Sequence, residues 1–193
     1  VGHSYKGLCD MVNGYYFTYS ETKPIKFNPF YIGEGDVLDT EKKESIKTLL
    51  LALWKKDNET FNRSEYVALS NALQLYFEKV EKDKTIFPCF NSFYEFLKED
   101  FVEKLKGDNV KDKDFDVSNF LYVLRPYYKG GEFDYLLNAD ENLDLLQQRF
   151  IVFELDNIKD HPILFPVVTI IIMEVFISKM RKLKGIRKMI LIE

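Results

Sequence analysis

Two short apolar runs bracket one long apolar helix near the end of this chain, and that alternation constrains the fold more than any other feature. Arg149-Phe150-Ile151-Val152-Phe153-Glu154-Leu155 is nearly all apolar, as a strand covered on both faces should be. Asp156–Pro162 has turn character, and an apolar stretch from about Ile163 to Leu183 then has the length of a helix. After Gly185 the run Met189-Ile190-Leu191-Ile192 closes on Glu193. Strand, helix, strand in this order predicts a βαβ unit with a right-handed crossover, its two strands parallel. Ligand sites in open α/β sheets lie at the carboxyl ends of the strands, and Glu193 would stand there. Any core strand can end in an acid, so Glu193 is either a site carboxylate or a surface acid at a strand end.

The rest of the chain divides around a helical block. Residues 1–38 read as loop and strand, with short aromatic and β-branched runs at Tyr15–Tyr19 and Ile25–Asn28, a turn at Glu21–Pro24, and breaks at Pro29, Gly33 and Gly35. Residues 39–147 are mostly helical. Ile46, Leu49, Leu50, Leu53 and Trp54 recur at helical spacing behind an Asp39 or Thr40 cap, and Tyr66, Leu69, Leu73, Tyr76, Phe77 and Val80 follow an Asn62/Glu65 capping pair. A third pattern starts at a Ser92/Glu95 capping box and carries Phe93, Phe96, Leu97, Phe101 and Leu105. Beyond the charged run Lys106–Asp114, a short helix spans about Val117–Leu124 and stops before Pro126. The expected organisation is an α/β core, 1–38 with 148–193, interrupted by an all-helical insertion at 39–147. A chain of 193 residues, 46% hydrophobic, is long enough to give each part a core.

Composition removes several function classes. A net charge of −4 argues against direct nucleic-acid binding. Cys9 and Cys89 have no CxxC spacing, and His3 and His161 are the only histidines, which argues against a Cys/His zinc site. The favoured state of the two cysteines is the free thiol, with a single disulfide as the alternative. Residues 163–177 are the most apolar stretch but are shorter than the roughly 20 residues of a membrane span, and they contain Pro166 and Glu174. Lys179, Arg181, Lys182, Lys184, Arg187 and Lys188 form a basic cluster at a helix end, where cations complement the helix dipole; contact with nucleic acid or an acidic partner is the competing reading. Glu154 and Asp156 are candidates for a polar crevice or for capping the following turn.

Four segments, in order, carry a resemblance: Gly2-His3-Ser4-Tyr5-Lys6-Gly7-Leu8, Phe27-Asn28-Pro29-Phe30, Lys129-Gly130-Gly131-Glu132-Phe133-Asp134-Tyr135-Leu136-Leu137, and Met189-Ile190-Leu191-Ile192-Glu193. With a helical block between the second and third, the chain resembles the TraG-type conjugative-transposon ATPases, relatives of the VirB-type ATPases of type IV secretion. The resemblance implies a partial RecA-like P-loop ATPase core. The parent protein would use ATP and Mg²⁺ to drive conjugative DNA transfer, as a homo-oligomer among other subunits of a secretion machine. It would be cytoplasmic and peripheral to the inner membrane, meeting the membrane only through partners. Glu193 would be the Walker B acid and metal-positioning carboxylate. Ser4 and Tyr5, in a loop, and Gly130 and Gly131, before a helix at 133–137, would lie near nucleotide or a neighbouring subunit. A plain structural loop and an ordinary turn are the competing readings of these two segments.

One departure is large. No G-x-x-x-x-G-K-[ST] occurs in the chain, and Lys129-Gly130-Gly131 lacks the spacing and the following hydroxyl residue to replace it. The expectation is therefore an internal fragment, starting after the phosphate loop and ending within the Walker B element, inactive alone and holding no nucleotide. A helical protein-interaction module on an α/β base, with no nucleotide role, is the alternative.

Overall fold

A computed structural model describes residues 2–33, 37–56, 59–142 and 148–191. It divides into two compact units, one formed by Val1–Ile25 with Leu143–Glu193 and the other by Lys26–Asn142. Residues 26–33 thus go with the helices, where the sequence placed them with the α/β part.

The first unit begins with helix α1, Gly2–Met11, where a loop was expected. The helix ends at Asn13, which takes a left-handed φ of 53°, and the amide of Gly14 closes it on the Cys9 carbonyl at 2.8 Å. Gly14 has no room for a side chain: a Cβ there would stand 2.7 Å from the Phe150 carbonyl oxygen and 2.8 Å from Cys9 Sγ. That close approach lets strand β1, Tyr15–Thr18, leave the helix already beside strand β2, Ile151–Glu154. The two strands pair in parallel, Tyr15 opposite Ile151 and Thr18 opposite Glu154. Helix α7, Leu164–Lys182, follows β2. His161 Nδ1 accepts from the amides of Leu164 (3.0 Å) and Ile163 (3.3 Å), capping a helix start that has no Ser, Asp or Asn. At the other end Lys179 Nζ donates to the Gln148 carbonyl and Lys188 Nζ to the Leu183 carbonyl, so these two members of the basic cluster close backbone acceptors.

The βαβ expectation is half right. The strand at 151–154 and the helix after it form, but residues 189–191 pair with no strand among the described residues, and Met189 is 88% exposed. Ile192 and Glu193 lie outside the described residues. The parallel partner of β2 is β1. Apolar character signals burial, whereas a strand also needs a neighbour's amides and carbonyls; the apolar run at 189–191 has the first property without the second.

The second unit is helical: α2 (Thr40–Trp54), α3 (Arg63–Lys82), α4 (Phe90–Phe96), α5 (Val102–Gly107) and α6 (Val117–Leu124). Asp39 caps α2 through Lys42 N at 2.8 Å, and Asn62 and Glu65 form the expected reciprocal box on α3 at 2.7 and 2.9 Å. The third expected box is displaced. Helix α4 starts at Cys89, Ser92 Oγ reaches back to the Cys89 amide at 3.2 Å, and Glu95 instead accepts from the Tyr128 hydroxyl at 2.7 Å. A π-helical turn, Leu97–Phe101, joins α4 to α5. The run Ile25–Asn28 makes no strand either; the Phe27 amide donates to Leu136 O at 2.9 Å and its carbonyl accepts from Ala139 N at 3.3 Å.

Aromatic rings fill this unit. Phe30, fully buried, lies 5.0 Å from the ring of Phe93 and 5.5 Å from that of Tyr76. Trp54 meets Phe120 at 5.2 Å and Phe115 at 5.6 Å, its indole N–H donating to Asn119 Oδ1 at 2.9 Å. Each large side chain buried in this way contributes about 1.5–3 kcal/mol. The buried Lys47 is fully used: Nζ donates to Glu44, to Tyr66 Oη at 3.0 Å and to Ser70 Oγ at 3.0 Å. Both cysteines are buried free thiols. No described helix is long and apolar enough to cross a membrane.

Candidate functional site

The carboxyl end of the parallel strands is the place where an α/β sheet offers a site. There β1 gives Thr18 and β2 gives Glu154, directly opposite in register, and the ladder runs one bond further through the Tyr19 amide and the Glu154 carbonyl at 3.0 Å. Asn157 Nδ2 then holds the Tyr19 carbonyl at 2.9 Å. The Glu154 side chain is buried. Its Oε1 accepts from the Asp156 amide at 3.0 Å, so the carboxylate caps the turn that follows, whereas Oε2 has no hydrogen-bond partner. Burial first, and then the Glu154 charge, push the Tyr16 phenol above its usual range. Asp156 is paired with Lys159 at 2.9 Å on the surface.

Of the residues singled out from the sequence, Ser4 and Tyr5 lie on α1, a helix and not a loop, and the Ser4 side chain lies outside the described part. Glu193 is outside the described residues altogether. Gly130 and Gly131 belong to the helical unit, in a turn after the short 3₁₀ segment Arg125–Tyr127. The helix expected at 133–137 is a succession of turns. The two glycines differ in what they require. Gly130 has a φ of +83° with open space around it, so it answers a backbone conformation. Gly131 answers a contact: a Cβ would fall 2.3 Å from the Pro126 carbonyl oxygen, and the turn is closed by Gly131 N to Tyr128 O at 2.7 Å and Phe133 N to Pro126 O at 2.9 Å.

Sequence reasoning missed the asparagines. Asn28, fully buried, donates from Nδ2 to the carbonyls of Pro88 (2.8 Å) and Ala139 (3.0 Å), and its Oδ1 accepts from Phe30 N at 3.0 Å. Asn142 and the Asn28 backbone bond reciprocally, Asn28 N to Oδ1 at 2.7 Å and Nδ2 to Asn28 O at 2.9 Å. Asn138 likewise accepts from Asn91 N at 2.7 Å and donates to Asp134 O at 2.8 Å. The only signal available was the Asn-Pro-Phe element itself, which gives no hint of distant partners.

Magnesium and nucleotide do not fit the described residues by themselves. These residues contain no group of three His, Cys, Asp or Glu side chains able to hold a metal ion, and the chain carries no phosphate loop. Along α3 and α5 the helical unit carries a cleft of about 740 Å³, and beside Tyr31 and Tyr135 another of about 430 Å³. Neither is lined by Ser4, Tyr5, Gly130 or Gly131.

The TraG P-loop domain family matches residues 1–193, the whole chain. The chain belongs to that family. The resemblance drawn from the four segments therefore holds. VirB4 of Thermoanaerobacter pseudethanolicus, a solved structure, is similar over 92% of this chain with a TM-score of 0.56 and 17% identity, a likeness that shows the fold. The chain spans 46% of that protein's length. No curated protein gives a significant match.

Proposed function

We propose that this chain is part of the ATPase motor of a type IV secretion system that drives conjugative DNA transfer. In this reading it supplies part of a RecA-like core, residues 1–25 with 143–193, and the helical block 26–142 is an insertion that starts earlier than the sequence-based boundary at 39. The parallel pairing of β1 with β2 carries the proposal: strands from opposite sides of a helical block lie side by side with their carboxyl ends together, in a chain of the TraG P-loop family. The missing phosphate loop and the 46% coverage of VirB4 support a longer working protein, of which this is a segment.

Within that protein ATP and Mg²⁺ would supply the phosphoryl chemistry, and the rest of the core would bind them. Glu193 is the acid we assign to metal positioning, at the carboxyl edge of the run 189–192. Ser4 and Tyr5 on α1, and the backbone at Gly130 and Gly131, are the assigned nucleotide-proximal positions; the open space around Gly130 supports close approach by another group. The partners would be other subunits of the machine and further copies of the same protein, with membrane association only through them.

Two measurements test this. The 193-residue chain, incubated with Mg-ATP, should release no phosphate above a buffer blank. In the longer protein Glu193→Gln should leave folding intact and slow turnover at least tenfold, equivalent to about 1.4 kcal/mol of barrier. Turnover by the short chain that survives repurification would overturn the segment reading. Near-normal turnover in the variant would remove Glu193 from the site.

A further inference from the structure

The chain passes between its two units twice, at Ile25–Lys26 and at Asn142–Leu143. Within the helical unit the ends of these passages are bonded to each other. Asn28 N donates to Asn142 Oδ1 at 2.7 Å and Asn142 Nδ2 donates back to Asn28 O at 2.9 Å, a ring of two bonds between residues far apart in sequence. Phe27 adds two main-chain bonds in the same place, to Leu136 and Ala139. Asn28 then spends its side chain entirely inside the unit, on Pro88, Ala139 and Phe30. Every polar group of Asn28 is therefore satisfied by residues of 26–142. Immediately after it, Phe30 enters the aromatic cluster with Phe93 and Tyr76.

We infer that the Asn28–Asn142 pair is a clasp that closes residues 26–142 into an autonomous folding unit, stable without the α/β part. The physical argument is entropic as much as enthalpic. Joining the two ends of the unit removes the fraying that would otherwise start at both. A fixed loop also needs its closure cost covered by local contacts, which the clasp and the Phe30 cluster supply. The full burial of Asn28 raises the cost of breaking the clasp: losing Asn142 leaves the Asn28 amide without a partner, which costs more than the bond itself is worth, while the Asn28 carbonyl keeps only the Tyr31 amide at 3.2 Å. The Asn-Pro-Phe element and the stretch after Gly130–Gly131 thereby gain a common role. They are the two halves of one closure. This inference is independent of the ATPase reading and stands or falls on stability alone.

Limited proteolysis of the full 193-residue chain with a nonspecific protease tests it, with fragments followed by mass spectrometry. A resistant fragment should accumulate with ends within a few residues of 25 and 143, while the α/β segments are degraded first. Asn142→Ala should speed loss of that fragment roughly tenfold without changing how fast the α/β segments are cut. Asn142→Asp keeps the acceptor for the Asn28 amide but not the donor, and should fall between the two. Degradation of 26–142 in step with the rest of the chain would overturn the inference. So would an Asn142→Ala fragment as durable as the wild type, or an Asn142→Asp fragment lost as fast as that of Asn142→Ala.

Discussion

The helical unit and the α/β unit solve the burial problem to different degrees. In the helical unit Phe30, Leu50, Leu69, Phe93, Phe120 and Leu136 are completely buried, and Lys47 finds three partners. In the α/β unit Tyr15, Tyr16, Phe17, Ile151, Val152 and Phe153, the apolar strand residues, are all only half-buried. Helix α7 is apolar along most of its length, yet Leu164, Val167, Val168 and Ile171 are its only buried residues. Parallel sheets are normally covered on both faces. The helical block buries its large side chains to completion, whereas the α/β unit leaves its apolar strand residues half-buried.

The largest expected effect separates the two cores. Phe30→Ala should cost the helical unit about 3–5 kcal/mol, the usual range for emptying a full aromatic site. Phe17→Ala, from a half-buried strand position, should cost under about 2 kcal/mol in the α/β unit. Chemical denaturation with separate probes of each unit reads both; equal losses would erase the distinction. Next, the two adjacent glycines should behave differently. Gly131→Ala forces a backbone contact apart and should destabilise by about 2–3 kcal/mol, while Gly130→Ala should cost only about 1 kcal/mol for its left-handed backbone.

Alkaline titration sharpens the contrast further. Burial pushes the Tyr127 phenol up to about 12. A folded-state pKa above the unfolded value of about 10 means the unfolded chain loses its proton first, so stability falls as pH rises between those two values. The helical unit should therefore lose stability from about pH 10 to 12, and Tyr127→Phe should flatten part of that decline, followed by phenolate absorbance and melting together. The smallest effect concerns association. Met189 and Leu191, 88% and 65% exposed, should promote weak self-association of the chain. A Met189→Lys, Leu191→Lys double variant should lower the mass seen by light scattering at high concentration, whereas a wild-type monomer at that concentration would contradict the expectation.

The helical block was legible because its information is local. Ile46, Leu49, Leu50 and Trp54 repeat at the helical period, and Asp39, Asn62 and Glu65 supply caps within three residues of the amides they bind. Where capping information was ambiguous the reading slipped: Ser92 looks like a first residue but serves as the third, because Cys89 takes the cap position. Helix α1 was missed since Gly2 and Gly7 lower its propensity and the turn it needs is supplied by contact with Phe150, far along the chain. The run 189–191 shows the opposite case, its apolarity being local in the sequence and the pairing a strand needs not. Of the candidate site, the family was legible from four ordered segments. The clasp was not, since nothing in the neighbourhood of Asn142 announces that its partner is Asn28.

Hydrogen exchange on the full 193-residue chain measures the central contrast most directly, because it reports opening free energy amide by amide. The account predicts that amides of α3 and of the interior of α4 exchange only through unfolding of the whole helical unit and share one high protection. Amides of β1 and β2, Tyr15–Thr18 and Ile151–Glu154, should exchange orders of magnitude faster under the same conditions. Equal, high protection in the two-stranded sheet would contradict the account, since it would show the α/β unit to be as complete as the helical one.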